Sequence, residues 1–497
     1  MRRYEHSRGE QHDKDRIKLY KTHRGWMTSL TRIFRFVFRD RSSKEEFTDR
    51  DALKEDDDDT GISPFVQGLT AIAALFGGGA AASAYTQTVH AKQISNNGSE
   101  VIGSTSSSSA ITRTAMGQQV SQQTVNGQQV SQSVNNQNVD VSNQTQLKHA
   151  LQDKNVSVIN FDNDITLTQT INVVPRNVTI NANGYQLNTG NYCLSVDSAK
   201  GSTSNEITLK NARLFTANKH GAFEMSHDGN VKLTYQDVDA VGGTAVWSNS
   251  EAKGNKSFKV AGQTSIKAVK SYHLDGHEYR THLVNQPVKS FHKGQTNLIV
   301  INNSFTTAKD AKVHIDGAEV ADYAIRLMSN GQQHFKVDQN AQFTVDDSNN
   351  ASIVMTQHGK TDQSQLLQIN KDANVSLNSK HGANILLSTS GQNSTPNVNV
   401  GAAKLDMKVA SHAQANIKVQ GPTNNDHHAN VSFDKNSLVN GTVLKSGANI
   451  VSQGMDTDVN IHNPRHITLN AANNHTYQTH HARMHINIDT TNVKVTN

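Results

Sequence analysis

From residue 156 onward, apolar and polar residues alternate in short runs that are separated by turn residues. Clear examples lie at 156–161, 165–167, 171–173, 178–180, 298–303, 367–370 and 486–488. A period of two places one set of side chains in a core and the other in solvent. Runs this short and closely spaced predict an all-β chain wound as a right-handed parallel β-helix, or β-solenoid. With about 22 to 25 residues per coil, we expect roughly 14 to 16 coils.

A short helix is predicted just before these strands. Leu147, Ala150 and Leu151 have the spacing of one helical face, and Thr145 is placed to cap its N-terminus. Such a helix would cover the first coil, whose open edge would otherwise pair with other chains. We therefore assign residues 145–497 to the β-helix and its capping helix. Asparagines that follow strands, such as Asn160 and Asn181, are expected to pair from coil to coil.

The composition agrees with a thin core that is shared along many coils. Only 35% of the residues are apolar and 5% are aromatic, and 48 Lys and Arg nearly balance 43 Asp and Glu. This composition is poor for a thick globular core, and the charge indicates no nucleic-acid partner. The single cysteine, Cys193, allows no internal disulfide, and its apolar neighbours predict a buried side chain.

The first 91 residues have the order of a long export signal. Charges of both signs fill residues 1–59, an apolar and glycine-containing segment covers 62–84, and Val89-His90-Ala91 is a small-residue cleavage pattern. We expect cleavage after Ala91, with a membrane anchor as the less favoured alternative because the apolar segment is only weakly hydrophobic. Residues 92–144 are rich in Ser, Gln and Asn and are predicted to be a flexible linker.

Part of the export signal resembles a known motif. Residues 18–26, Lys-Leu-Tyr-Lys-Thr-His-Arg-Gly-Trp, resemble the KxYKxGKxW-type signal of the serine-rich repeat adhesins of lactobacilli and streptococci. The matching positions are Lys18, Tyr20, Lys21, Arg24 and Trp26. His23 replaces the glycine of the motif, and Arg24 replaces its lysine.

The body of the chain is similar to the pectate-lyase-like adhesive domain, and with the signal it resembles the β-solenoid binding region of these adhesins. The resemblance implies export by the accessory Sec machinery and a place on the bacterial cell surface or cell wall. It also implies ligands such as mucin-type glycans or pectin-like acidic polysaccharides. The long serine-rich stalk and wall anchor of the family do not follow before Asn497, so we expect a fragment or a released protein.

The sequence favours a binding protein over an enzyme. Polysaccharide lyases of this fold use clustered aspartates around calcium and an arginine base, and we find no such set. Asp346-Asp347 is the only adjacent acidic pair in the body, and its neighbours predict a solvated turn. We therefore expect no catalytic residue, no metal and no cofactor. A lyase-like enzyme and a self-associating module that uses the last coil near 493–495 remain the alternatives.

The stretch 235–293 interrupts the strand rhythm and is the predicted ligand-binding region. Function on a repetitive scaffold tends to lie on insertions, and sugars need aromatic faces with hydrogen-bond donors beside them. The candidate residues are Trp247, Lys270, Tyr272, His277, Tyr279 and Arg280. The alternatives are that Trp247 fills a wide coil and that the cluster at Tyr279 and Arg280 is a solvated loop.

Histidines are concentrated in the body of the chain. Residues 145–497 hold 20 of the 24 histidines, together with 31 Lys and Arg and 27 Asp and Glu, a formal charge of +4. Exposed histidines gain protons between about pH 7 and 5, so this charge can approach about +24. We therefore expect binding to anionic polysaccharides to strengthen as the pH falls.

Overall fold

The computed structural model describes residues 137–489 and four short strands that precede them. Gaps in this range lie at 197–203, 286–296, 319–320, 358–363, 391–393, 411–414, 423–427, 446 and 473–475. The chain divides into two compact units, Met1–Ala110 and Ile111–Asn497. Within the described ranges, no helix is long and apolar enough to cross a bilayer.

Two antiparallel hairpins make up the described residues before 137. In the first unit, β1 (Leu19–Thr22) pairs with β2 (Gly25–Thr28), and in the second unit β3 (Ser121–Val125) pairs with β4 (Gln128–Gln132). The first hairpin contains Tyr20, Lys21 and Trp26 of the signal motif. Lys18, Arg24, the apolar segment 62–84 and the cleavage pattern at Ala91 lie outside the described residues.

The second unit begins its main body with β5 (Gln137–Val141), ahead of the boundary predicted at residue 145. The helix α1 (Gln144–Gln152) follows and buries Leu147, Ala150 and Leu151, as predicted. Its N-cap is Asn143 and not Thr145, because the extended Asn143 accepts the backbone N–H of Gln146 on its side-chain oxygen. Thr145 therefore lies inside the first turn.

Each subsequent coil contributes up to three strands. The first coils hold β6 (Val156–Phe161), β7 (Ile165–Thr166), β8 (Ile171–Val173), β9 (Val178–Asn181), β10 (Gln186–Gly190), β11 (Leu194–Val196), β12 (Ser204–Thr216), β13 (Phe223–Met225), β14 (Asn230–Gly242), β15 (Val246–Ser248), β16 (Lys256–Ala261) and β17 (Gln263–Ala268). An insertion follows with β18 (Ser271–Leu274), β19 (His277–Arg280) and the 3-10 helix His282–Asn285.

The coils resume after the insertion. They hold β20 (Asn297–Ile301), β21 (Ser304–Thr307), β22 (Lys312–Asp316), β23 (Tyr323–Ser329), β24 (Gln333–Val337), β25 (Gln342–Ser348), β26 (Ala351–Gln357), β27 (Gln365–Ile369), β28 (Asn374–Ser379), β29 (Ala383–Thr389), β30 (Pro396–Val400), β31 (Lys404–Val409), β32 (Ala415–Gln420), β33 (His428–Phe433), β34 (Leu438–Val443), β35 (Ala448–Gln453), β36 (Asp456–His462), β37 (His466–Ala471), β38 (Tyr477–His480) and β39 (Met484–Asp489).

Equivalent strands of successive coils pair in parallel and form three faces. A 22-stranded sheet carries the first two faces, and β12 and β14 run through both of them without a turn. An 11-stranded sheet, from β8 to β38, forms the third face. The predicted all-β parallel solenoid with one capping helix is therefore confirmed.

The predicted number of coils is wrong. The third face has one strand per coil, so its eleven strands mark eleven coils in the described part of the chain, not 14 to 16. The coils lengthen along the chain: Asn160 and Asn181 pair at a separation of 21 residues, whereas Asn384 and Asn416 pair at 32. Longer strands and the insertion use residues that the prediction assigned to further coils.

One large apolar cluster runs through the solenoid, and buried and outward residues alternate along many strands, such as β25. Tyr235, which belongs to the predicted binding stretch, is one of its core residues. Its ring packs edge-to-face on Phe258, and its hydroxyl donates to the carbonyl oxygen of Ala245 at 3.2 Å. Tyr235 is therefore not available to a ligand.

Side-chain amides join neighbouring coils, as predicted. Asn181 donates to the side-chain oxygen of Asn160 at 3.4 Å, and Asn211 donates to that of Asn181 at 3.0 Å. A second ladder, which the sequence did not reveal, is buried at the start of the third-face strands β29, β32 and β35. There Asn384 donates to Asn416 at 2.8 Å, and Asn416 donates to Asn449 at 2.6 Å.

Asp346 and Asp347 do not form the solvated turn that the sequence predicted. They lie in β25, where a bulge gives Asp347 a φ of 53°. The side chain of Asp346 receives hydrogen bonds from Asn378 at 2.6 Å and from His314 at 3.2 Å. These partners lower the pKa of Asp346, and the same hydrogen bond raises the pKa of His314.

Candidate functional site

The insertion leaves the solenoid between the second face and the third face of one coil. Its strands β18 and β19 form an antiparallel hairpin in which Tyr272 lies opposite Tyr279. The turn uses Asp275 and Gly276 with φ of 51° and 78°, the left-handed values that a tight hairpin turn requires. The predicted interruption of the strand rhythm is therefore a defined hairpin.

The two tyrosines dock this hairpin on earlier coils. Their rings stack at 5.0 Å with an interplanar angle of 13°, and the Tyr272 ring also lies 5.5 Å from that of Phe215. The Tyr272 hydroxyl donates to the side-chain oxygen of Asn188 at 3.0 Å. The ring of Tyr279 occupies the space where a Cβ on Gly190 would lie, with Cε1 at 2.9 Å. The hairpin therefore reaches back to a corner that β10 forms.

Tyr272 cannot serve as the sugar-stacking residue that the sequence suggested. Its side chain is 7% exposed, and burial raises its pKa. The ring is covered by Phe215 and Tyr279, so no face is left for a ligand. Tyr272 is an anchor of the hairpin.

The other predicted hairpin residues lie at the surface. Lys270, His277 and Arg280 are exposed, and Tyr279 is half-buried. The guanidinium of Arg280 contacts the carboxylate of Glu278 at 3.2 Å, and its side chain is 72% exposed. Arg280 therefore remains accessible to an anionic group, in competition with Glu278.

Trp247 points outward and does not fill the coil. It is the middle residue of β15, and its neighbours Val246 and Ser248 are buried. Its ring stacks on the imidazole of His220 at 4.4 Å with an interplanar angle of 18°. The pair forms a partly exposed aromatic surface on the third face.

Glu224 lies beside this aromatic pair. It is the middle residue of β13 and pairs in register with Trp247 across the parallel ladder. One carboxylate oxygen lies 3.4 Å from Nδ1 of His220, and the other accepts from the thiol of Cys193 at 3.3 Å. Burial raises the pKa of Cys193 to about 12, so the thiol stays protonated and donates. We call His220, Glu224 and Trp247 the ledge.

His282 lies at the end of the insertion, close to the ledge. Its Nε2 lies 3.5 Å from the hydroxyl of Thr244, and its ring fills the space above Gly243. Burial lowers the pKa of His282, and the nearby positive charges of His220 and Lys219 lower it further. His282 is therefore neutral at pH 7, and the end of the insertion lies within electrostatic reach of His220.

This arrangement is equipped for binding. An aromatic pair, a carboxylate and imidazoles can stack on a ring and exchange hydrogen bonds with hydroxyl groups. Among the residues that the structure describes, no group of three or more His, Cys, Asp or Glu side chains could hold a metal ion.

Sequence reasoning found Trp247 but missed His220 and Glu224. A signal for Glu224 was present, because Phe223-Glu224-Met225 and Val246-Trp247-Ser248 are both short strands whose middle residue must point outward. Their pairing could not be deduced, because the number of residues between coils changes along the chain. His220 lies in a turn, where alternation gives no information.

Comparisons with known proteins agree with this architecture. Residues 138–247 match the family model described as a putative pectate lyase-like adhesive domain, a range that contains the whole ledge but not the hairpin. The structure of a serine-rich repeat protein from Lactobacillus reuteri 100-23 is similar, with a TM-score of 0.54 and 21% identity over 71% of this chain and 99% of that chain. A second, from L. reuteri 53608, gives a TM-score of 0.47 and 25% identity over 69% and 99% of the two chains. No curated protein sequence matches. The resemblance expected from the sequence is confirmed for the fold.

Proposed function

We propose that this chain is a bacterial surface adhesin that binds glycans through the ledge and the neighbouring hairpin. The observation that carries the proposal is the partly exposed Trp247–His220 stack with Glu224 beside it. This surface lies within the range that matches an adhesive domain. Suitable ligands are mucin-type glycans or pectin-like acidic polysaccharides.

The outward side of the hairpin supplies groups for an acidic glycan. Alternation in the two strands places His273 and Arg280 on the side opposite the docked tyrosines, and both are exposed. Lys270 is exposed at the base of the hairpin. A guanidinium binds carboxylates in a two-pronged geometry, so Arg280 is the principal candidate.

The test is a glycan array probed with the full chain, followed by titration of the best ligand. Replacing Arg280 and Tyr279 together by alanine should weaken binding at least about tenfold, a loss of about 1.4 kcal/mol. Lys371→Ala, an exposed change between β27 and β28, is the control. Unchanged affinity of the double variant would show that the hairpin is not part of the site. If Lys371→Ala also weakens binding, and high salt weakens the binding of all variants, the attraction is a non-specific charge effect.

Binding should strengthen at acidic pH. Described histidines that are exposed include His227, His273, His277, His428, His462 and His466. Histidine is the side chain whose ordinary pKa lies near this range, so we expect a fall from about pH 7 to 5 to add positive charge to a histidine-rich surface and to favour an anionic ligand. The affinity for one anionic polysaccharide in low salt should be higher at pH 5 than at pH 7, and equal affinities would contradict the proposal.

We also propose export through the accessory Sec route to the cell surface or cell wall, on the strength of the motif at 18–26. The mature protein should then begin near Lys92. N-terminal sequencing of the exported protein checks this, and a sequence that begins at Met1 would contradict it.

We expect adhesion without catalysis. The full chain, incubated with polygalacturonate and calcium, should give no absorbance from unsaturated products. Appearance of that absorbance would establish a lyase instead.

Self-association is a second candidate. The side chains of Ile486 and Ile488 on β39 are 40% and 46% exposed, and β39 pairs with β36 alone among the described strands. Apolar residues on an unpaired edge favour pairing between chains. Sedimentation velocity at increasing concentration of the full chain tests this, and a constant monomeric mass would remove the candidate.

A further inference from the structure

We infer that the ledge takes an uncharged sugar ring, one that stacks on the aromatic pair and donates hydroxyl or amide hydrogens to Glu224. This inference rests on the proposed glycan-binding function and names the sugar that the ledge itself accepts. An acidic sugar would then be bound elsewhere, at the hairpin.

The first observation is the position of the Glu224 carboxylate. Glu224 and Trp247 are neighbours across a parallel ladder, so their side chains leave the third face about 4.8 Å apart. A ring placed against Trp247 therefore lies over or beside this carboxylate. The side chain of Glu224 is 19% exposed, so the carboxylate is reachable from solvent but is partly shielded from it.

The second observation is the character of the partners of Glu224. Cys193 contributes a neutral thiol, whose hydrogen bond leaves the negative charge in place. His220 lies at 3.4 Å but carries a positive charge only when it is protonated. No described lysine or arginine forms a salt bridge with Glu224. The ledge therefore presents a carboxylate acceptor that no described lysine or arginine neutralises.

Chemistry then selects the ligand. A carboxylate accepts hydrogen bonds from hydroxyl and amide groups, and such charge-assisted bonds are strong. It repels the carboxylate of a uronic acid, and the repulsion is stronger where solvent is partly excluded. The aromatic pair favours the apolar face of a pyranose. Together these effects select neutral or N-acetylated sugars and disfavour uronic acids.

The test compares two ligands that differ only at C6: an α-1,4-linked galactose oligomer and an α-1,4-linked galacturonic acid oligomer of equal length. Affinities are measured by calorimetry with the full chain at pH 7, for wild type, Trp247→Ala and Glu224→Gln. Glu206→Gln is the matched control, because it makes the same charge change on the first face, where Glu206 pairs with Lys232.

We expect Trp247→Ala and Glu224→Gln each to weaken binding of the galactose oligomer at least about tenfold, or about 1.4 kcal/mol. Glu224→Gln should leave binding of the galacturonic acid oligomer unchanged or make it tighter, and Glu206→Gln should change neither. A galactose oligomer that binds equally well to all variants would overturn the inference while the adhesin proposal stands. Loss of galacturonic acid binding in Glu224→Gln would also overturn it. If neither oligomer binds the wild type, the inference fails, and the glycan array alone then decides the adhesin proposal.

Discussion

Lys256 shows how one side chain can depart from the pattern of its strand. It occupies an inward position of β16, where it pairs with Val231 of β14, and it is fully buried. Its ammonium group donates to the carbonyl oxygen of His227 at 2.6 Å and to that of Gly229. Burial lowers its pKa to about 8, and Asp228 opposes this shift. Lys256 thus holds the turn before β14 at the cost of burying a charge.

This burial predicts a dependence of stability on alkaline pH. Between about pH 8 and 10.5 the unfolded chain keeps the proton of Lys256 while the folded chain has lost it, so stability should rise with pH. In Lys256→Met this rise should be absent. The difference in the free energy of unfolding between this variant and wild type should therefore change by at most about 2 to 3 kcal/mol over the interval. Urea unfolding at pH 7.5 and pH 10.5 measures it.

The control for this experiment lies on the same strand. Lys259 points outward from β16, so Lys259→Met should differ from wild type by the same amount at both pH values. If the difference in the free energy of unfolding between Lys256→Met and wild type is also the same at both pH values, Lys256 titrates as an ordinary lysine.

The hairpin of β18 and β19 depends on contacts that are distant in sequence. Tyr272 and Asn188 are separated by 84 residues, yet their side chains share a buried hydrogen bond. Gly190 permits the approach of Tyr279 because it has no Cβ. The position of the hairpin is therefore set by a corner three coils earlier.

Two glycines allow a matched test of this docking. Gly190 and Gly184 have φ of 52° and 85°, so alanine strains the backbone at either position. Only at Gly190 would the new Cβ meet a neighbour, the Tyr279 ring at 2.9 Å, whereas at Gly184 it meets nothing within 4 Å. Gly190→Ala should speed hydrogen exchange of the backbone amides in 271–280, and Gly184→Ala should not. Equal exchange in both variants would show that the hairpin holds its place without Gly190.

The strands were predictable from the sequence, but the contacts that their side chains make with distant residues were not. Alternation identified runs such as Val156–Phe161 correctly, because side chains that enter a core must recur at every second position. It could not show that Tyr272 points inward, because the insertion interrupts the strand rhythm on which alternation depends. The docking of Tyr272 on Asn188 depends on how 84 residues are wound, and local sequence does not encode that.

Across the stack of coils, buried polar ladders supplement the apolar core. Asn416 accepts from Asn384 and donates to Asn449, and all three side chains are fully buried. Each side-chain amide donates a hydrogen bond to the next one, and buried polar groups need such partners. The ladder therefore fixes the alignment of the coils that it joins.

Removing one member of the ladder should be costly. Asn416→Ala removes the acceptor of one N–H of Asn384 and the donor to the side-chain oxygen of Asn449, and we expect a loss of about 1 to 3 kcal/mol in stability. Asn399→Ala, on the outward side of β30, should change stability by less than about 0.5 kcal/mol. Thermal unfolding of both variants decides this, and similar midpoints would mean that the ladder relaxes around the gap.

The stacking of coils also determines how the molecule responds to force. The ledge belongs to the third and fourth coils, and seven coils follow before β39. If a bound glycan holds the ledge while tension enters through β39, the last ladder carries the load, since each coil is held mainly by its neighbours. A coil of about 30 residues that detaches would release roughly 100 Å of chain. The distal coils would then unfold one at a time and lengthen the chain under tension, while the coils that carry the ledge stay folded.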